Sequence, residues 1–340
     1  METSISRLGT EPWVEDIGGE TYEIGQLLGT GHMVTVHAGV RRHDGLDVAI
    51  KFLKDWTLAA RLSEEQTILT QLANRHRQRS VEAGVTMPLY VPKVFGVRAE
   101  GPRPCIVVER VTGEPLGAID AAWCQEHQMP REWVAVKVGR QFAQILDDLR
   151  VMQRSYPDLK DNCLVWCFDQ QDRRRSHIVI IDWNLLGDLP DGDAAGLVER
   201  NLQELNLLVY QVAVGRTLRG LGTANYDALE NTGGDGWQAL TYGMKELLAR
   251  ALSPLKGERF GTAAELAKAY EEHERYWDEV DAGHWYGAPS AALGWPGDQT
   301  EQELRRTATL RGIARLRGLP GADLEAELKA IAQLEQKQGL

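Results

Sequence analysis

Two stretches of this 340-residue sequence hold the side chains and glycines from which chemistry could be built. RSYPDLKDNCLV, Arg154–Val165, sets carboxylates at Asp158 and Asp161, an ammonium at Lys160 and an amide at Asn162 within five residues, ahead of a short apolar run. LLGTGHMVTV, Leu27–Val36, puts Gly29 and Gly31 between strand-forming residues. Without side chains there, backbone N–H groups can approach phosphate oxygens. Lys51 closes VAIK, Glu65 follows in the next helical stretch, and Asp182 follows the apolar run IVII. Each feature alone has a bland explanation. Glycines can make a tight hairpin, a lone lysine on a strand is usually solvated, and charge runs are usually solvated faces.

The elements around these residues follow from local pattern. The first twenty residues are polar and are expected to form a loosely held arm. Val34, Val36, Val40, Val48 and Ile50, with breakers at Gly29, Gly31 and Asp44-Gly45, predict three antiparallel strands. SEEQTILTQLA predicts a helix, with Ser63 as its N-cap and Ile68, Leu69 and Leu72 facing a core. VPKVFGV and PCIVVERV predict two further strands. From Gly113 the pattern turns helical, and Val134, Val138, Phe142, Ile145, Leu146 and Leu149 make an apolar face. HIVIIDW predicts a strand. LQELNLLVYQVAVG, WQALTYGMKELLARAL and TAAELAKAYEEHERYW predict helices. A Gly/Trp/Pro-rich linker from Asp281 to Gly297 precedes two short helices, with a capping box at Thr300 and Glu303 and a Leu324–Leu334 stripe.

In this order the motifs resemble the bacterial Ser/Thr protein-kinase (Hanks-type) family. The glycine loop, VAIK, the helical Glu, IVVERVTGEPL, DLKDN, the Asp after IVII and ALSPLKGERFGTAAEL all occur in family sequence, from Tyr22 to about Tyr276. The resemblance implies an α+β, two-lobed fold: a small β-rich N-lobe over 21–112 and a large helical C-lobe over 113–280. An arm (1–20) would precede them, and a linker with a helical hairpin (281–340) would follow.

It also implies ATP and Mg²⁺ as ligands. Leu28, Gly29 and Gly31 would cover the phosphates. Val36 and Ala49 would roof the adenine and Leu164 floor it. Lys51, fixed by Glu65, would hold the α- and β-phosphates. Val108 would stand behind the adenine, with the backbone of Glu109 and Val111 hydrogen-bonding it. Asp158 would orient the attacking hydroxyl or accept its proton, and Lys160 would neutralise the transferring phosphate. Asn162 and Asp182 would hold Mg²⁺, which suits hard oxygen ligands.

The departures from the family are specific. Val34 replaces the third glycine, so the loop should close less freely. D-F-G reads Asp182-Trp183-Asn184, and H-R-D reads Tyr156-Pro157-Asp158, without the arginine that pairs with a phosphorylated loop. DLKDN is one residue short. Leu149 to Asp158 keeps the family spacing, which favours a deletion after Lys160 with Asp158 retained; a gap-free alignment would instead put Pro157 at that place. The stretch after Asp182 is too short for a peptide platform, Asn201 stands where an Asp is expected, and Arg259 would lack its usual Glu partner.

An atypical ATP-dependent kinase acting on a protein is the first expectation. A pseudokinase scaffold that recruits a protein partner, or a small-molecule phosphotransferase of the aminoglycoside type, are the alternatives. The net charge of −11 argues against broad nucleic-acid binding. No apolar run approaches the roughly 20 residues of a membrane span, and no signal peptide is expected. Cys105, Cys124, Cys163 and Cys167 lack metal-site spacing and read as buried thiols of a reducing compartment, which points to the cytoplasm.

Overall fold

The computed structural model describes residues 12–84, 86–156, 159–183, 187–188, 194–216, 226–253 and 255–279. The fold is α+β, with an antiparallel sheet in the N-terminal part and helices in the C-terminal part. The described residues of Met1–Gly117 and Asp148–Asp191 form one compact unit, and those of Ala118–Asp147 and Gly192–Leu340 form a second. The segment after Asp148 belongs with the sheet.

The first unit is built on six strands: β1 (Trp13–Ile17), β2 (Glu20–Thr30), β3 (Val34–Arg41), β4 (Asp47–Leu53), β5 (Val94–Arg98) and β6 (Cys105–Glu109). They run in the order β1-β2-β3-β4-β6-β5, every neighbour antiparallel. β1 lies within the stretch expected to be a loose arm. It is held by full register with β2, Trp13 opposite Ile24 and Ile17 opposite Glu20. The sheet curls until its two edges meet. Gly18, at φ +61°, approaches Gly96 so closely that a Cβ would sit 3.2 Å from the Gly96 Cα. Arg98 Nη1 reaches Glu15 Oε2 at 2.8 Å. Burial disfavours the Glu15 charge, but Arg98, aided by Trp13 and Arg103, outweighs it and holds that carboxyl below its ordinary range. One face of the sheet is a core of Ile17, Tyr22, Ile24, Val48, Ile50, Phe52, Cys105 and Val107.

Helix α1 (Ala59–Glu82) follows β4. It starts earlier than expected, and Ser63 lies inside it rather than capping it. The side chain of Asp55 instead accepts from Thr57 N and caps a short 3₁₀ turn that runs on into the helix. Beyond β6 come β7 (Glu114–Pro115), helix α2 (Ala121–Glu126), helix α3 (Arg131–Val151), β8 (Arg154–Ser155), β9 (Leu164–Cys167), β10 (His177–Ile180) and β11 (Gly187–Asp188). In the first unit β10, β9 and β7 make a small sheet, and β11 pairs with β8.

The second unit is helical: α4 (Ala194–Val214), α5 (Tyr226–Gly233), α6 (Asp235–Gln238), α7 (Tyr242–Ala251) and α8 (Ala263–Glu279), with α2 and most of α3. The expected single helix from Trp237 to Leu252 is broken, because Thr241 caps a new one by accepting from Met244 N. Trp133, Val134, Val138 and Phe142 of α3 are fully buried with Tyr210, Trp237 and Tyr270. Polar groups inside are paired. Glu132 accepts from Thr241 N at 2.7 Å and lies 2.7 Å from His273 Nε2. Arg259, expected to lack its usual Glu partner, donates to Glu199 Oε1 of α4 at 3.0 Å. Among the described residues no helix is long and apolar enough to cross a membrane. The linker and the C-terminal hairpin expected over 281–340 lie outside the described residues.

Candidate functional site

Strand register gathers the first group of residues. Gly29 pairs with Val36, Val36 with Lys51, and Ala49 with Val108. Directly opposed residues and next-but-one residues share a face. Gly29, Val36, Ala49, Lys51 and Val108 therefore lie on one side of the sheet, opposite the Ile50 and Val107 core.

Neither glycine is needed by the hairpin. Gly29 and Gly31 are not among the positive-φ residues. A Cβ on Gly29 would meet nothing within 4 Å, and on Gly31 only Val34 at ordinary contact distance. A tight hairpin therefore does not explain these glycines. The tip is held by backbone: Gly31 N donates to Val34 O at 2.9 Å, and Lys54 Nζ donates to Gly31 O at 2.6 Å. Val34, in place of a third glycine, is buried. Leu28 is exposed beside them.

Lys51 is 5% exposed and Glu65 3% exposed. Lys51 Nζ donates to Glu65 Oε1 at 2.9 Å and to Ile181 O at 2.8 Å. Glu65 shares the buried stripe of α1 with Leu62, Ile68, Leu69 and Leu72, while its neighbour Glu64 turns aside to Arg154. The ion pair expected from motif order thus forms with the expected carboxylate.

Backbone contacts bring in the second group. Ile181, held by Lys51, directly precedes Asp182, and its N–H donates to Cys163 O at 2.9 Å, directly after Asn162. Asn162 and Asp182 are both exposed and flank these joined residues. Tyr156 OH donates to the Asp182 carbonyl. The Tyr156 ring meets buried Trp183 edge-on with centroids 5.5 Å apart, and Trp183 Nε1 donates to Ile180 O at 2.7 Å. Tyr156 as an anchor of Asp182 was not read from the sequence, where it was seen only as a lost histidine. The contact joins residues far apart in sequence and left no local signal.

The remaining expected residues are dispersed around this group. Leu164 is fully buried on β9, and Val111 is half-buried beyond β6. Glu109 N is taken by Lys93 O at 2.8 Å, while Val111 makes no backbone hydrogen bond among the described residues. Lys160 is exposed, and its carbonyl accepts from Cys163 N at 3.1 Å. Asp161 is half-buried. Its Oδ1 accepts from Asn162 N at 2.9 Å, and its Oδ2 lies where a Cβ on Gly117 would meet it at 2.9 Å. Asp158 lies outside the described residues. Half-buried Cys167 sits near Glu109; burial first, then the carboxylate charge, pushes its thiol up to about 11.

Among the described residues no three His, Cys, Asp or Glu side chains gather as a metal site. Asn162 and Asp182 offer hard oxygens of the kind that hold Mg²⁺ together with a ligand's phosphates. No protein-family model matches the chain, and no curated protein proves similar to it.

Proposed function

We propose that the chain is an atypical ATP-dependent kinase with the two-lobed fold of the Ser/Thr protein-kinase family. It would transfer a phosphoryl group from Mg-ATP to a protein hydroxyl in the cytoplasm, without control by loop phosphorylation. One observation carries the reading: the buried Lys51–Glu65 pair, bonded through Ile181 to the segment bearing Asp182. A buried ion pair is a poor source of stability, because its desolvation offsets most of its attraction and apolar residues would serve the core as well. A chemical need for the ammonium accounts for keeping it. Gly29, with open space beside it on the Lys51 side of the sheet, and Gly31, where a Cβ would make only ordinary contact with Val34, support the same reading.

In this reading Lys51 holds the nucleotide's phosphates from below and the Gly29–Gly31 backbone covers them. Val36, Ala49 and Leu164 enclose the base, and Val111 offers it backbone hydrogen bonds. Asn162 and Asp182 would hold Mg²⁺, which would neutralise charge on the transferring group. Tyr156 fixes the backbone at Asp182. Asp158 would take the proton of the attacking hydroxyl as its oxygen bonds to phosphorus and the bond to ADP breaks. Lys160 would face the developing charge.

The test begins with melting of the protein in millimolar Mg-ATP. Binding to the native state alone raises the Tm by mass action, and Lys51→Met and Asp182→Ala should abolish the shift. Labelled-phosphate transfer to a protein acceptor should follow and be lost in Asp158→Ala. No shift in the wild type would defeat the nucleotide reading. A shift with no transfer would favour a nucleotide-binding pseudokinase, which the missing residue between Asp158 and Asn162 also favours.

A further inference from the structure

Helix α1 carries Glu65, and the same helix is gripped at two further points by one short segment of the first unit. Near its start, Glu64 pairs with Arg154 of β8. Three to four turns further on, Arg75 and Arg79 converge on Asp148. Arg75 Nε donates to Asp148 Oδ1 at 2.7 Å, and Arg79 Nη1 donates to the same oxygen at 2.8 Å. Asp148 is 1% exposed. A carboxylate so buried needs its cations, so the two arginines are held firmly. Arg75 and Arg79 continue the stripe of Glu65, Leu69, Leu72 and His76 at helical spacing, so all of these point to one side of α1.

We propose that Arg154 and Asp148 are positioning residues that lock α1 with Glu65 on Lys51, so that the site is assembled without any phosphorylated residue. The idea rests on the kinase reading above for its consequence, but not for its geometry. In that family an arginine of the catalytic loop meets a phosphate, and Pro157 stands at that place here. Arg154 lies three residues earlier and pairs with Glu64, a carboxylate of the chain's own helix. The negative charge that a phosphate would supply is therefore built in. Glu64 adjoins Glu65, so loss of the Arg154 contact acts directly on the turn that holds Lys51. Asp148 holds the far end, where fraying would begin.

The experiment uses the full chain with Arg154→Glu, Glu64→Arg, the double charge swap, and Asp148→Asn. Backbone hydrogen exchange of α1 amides is read without nucleotide, and Mg-ATP affinity is read separately. Each single variant should speed exchange across 59–82. Each should also weaken Mg-ATP by about tenfold, as expected when the assembled state falls to about a tenth of the population. The swap should restore both. A merely structural contact would lower the Tm and leave Mg-ATP affinity unchanged. Single variants that exchange and bind like the wild type would overturn the lock, as would a swap that fails to rescue. If the wild type binds no Mg-ATP, the kinase reading fails, and the exchange data with the swap still decide the lock. Asp148→Asn is the variant at most risk of misfolding; the half-buried Glu64–Arg154 pair keeps the test decisive without it.

Discussion

The ammonium of Lys51 lies 2.9 Å from Glu65 Oε1, with both side chains almost wholly out of water. Removing one partner leaves a buried charge alone. Glu65→Ala should therefore cost about 3–5 kcal/mol in denaturant unfolding. The double variant Lys51→Met with Glu65→Leu should recover most of that stability, yet show no Mg-ATP melting shift. A double variant that still binds nucleotide would separate this pair from ligand binding.

Glycines in the first sheet should divide sharply on substitution. Gly29→Ala should keep or raise stability, by roughly 0.5–1 kcal/mol, because the strand loses a flexible residue and nothing is struck. It should weaken Mg-ATP where a backbone must approach phosphate. Gly39→Ala should do the reverse. Its Cβ would stand 2.7 Å from Ile50 Cδ1 and 3.3 Å from Glu23 O, an overpacking cost of about 1–3 kcal/mol. Paired melting and nucleotide titration measure both.

His76 gives the fold a pH dependence. Its ring packs against Tyr90 with centroids 4.6 Å apart, and burial holds its pKa below the ordinary 6.5, outweighing the carbonyl of Met87. The unfolded chain then binds a proton that the folded chain resists. The contribution is fully present above pH 6.5 and is lost as pH falls through the lower folded value. Urea midpoints taken at about pH 7.5 and about pH 5.5 should fall less in His76→Phe than in the wild type.

The thiols should be slow. Burial pushes Cys105 and Cys124 up to about 11, and burial with the Glu109 charge does the same for Cys167. Alkylation follows the thiolate. Native protein at neutral pH should therefore resist iodoacetamide at these three positions, and unfolded protein should react readily. Mass mapping of the labelled sites reads the outcome; rapid native labelling of Cys167 would contradict the burial that raises its thiol.

Much of the first unit was legible in the sequence because its causes are local. Alternating β-branched residues between turn formers set β2, β3 and β4, and helical spacing of Ile68, Leu69 and Leu72 turned Glu65 rather than Glu64 toward the core. The long apolar face from Val134 to Leu149 likewise marked α3 along almost its whole length. These patterns depend on side-chain periodicity within one element.

Other features were decided only when distant segments met. β1 looked like a loose arm because short polar sequence has no strand signal until β2 supplies its hydrogen bonds. The start of α1 moved because Asp55, outside the apolar pattern, captured a backbone N–H. The openness around Gly29, the bond from Lys51 to the Ile181 carbonyl and the Tyr156–Trp183 contact all depend on where other strands lie. The same holds for charge. Glu64, Arg154, Arg75, Arg79 and Asp148 look like solvated surface in one dimension, and partners far apart in sequence leave no periodic trace. Folding brings them together, and burial of Asp148 then leaves it no alternative to the two guanidiniums.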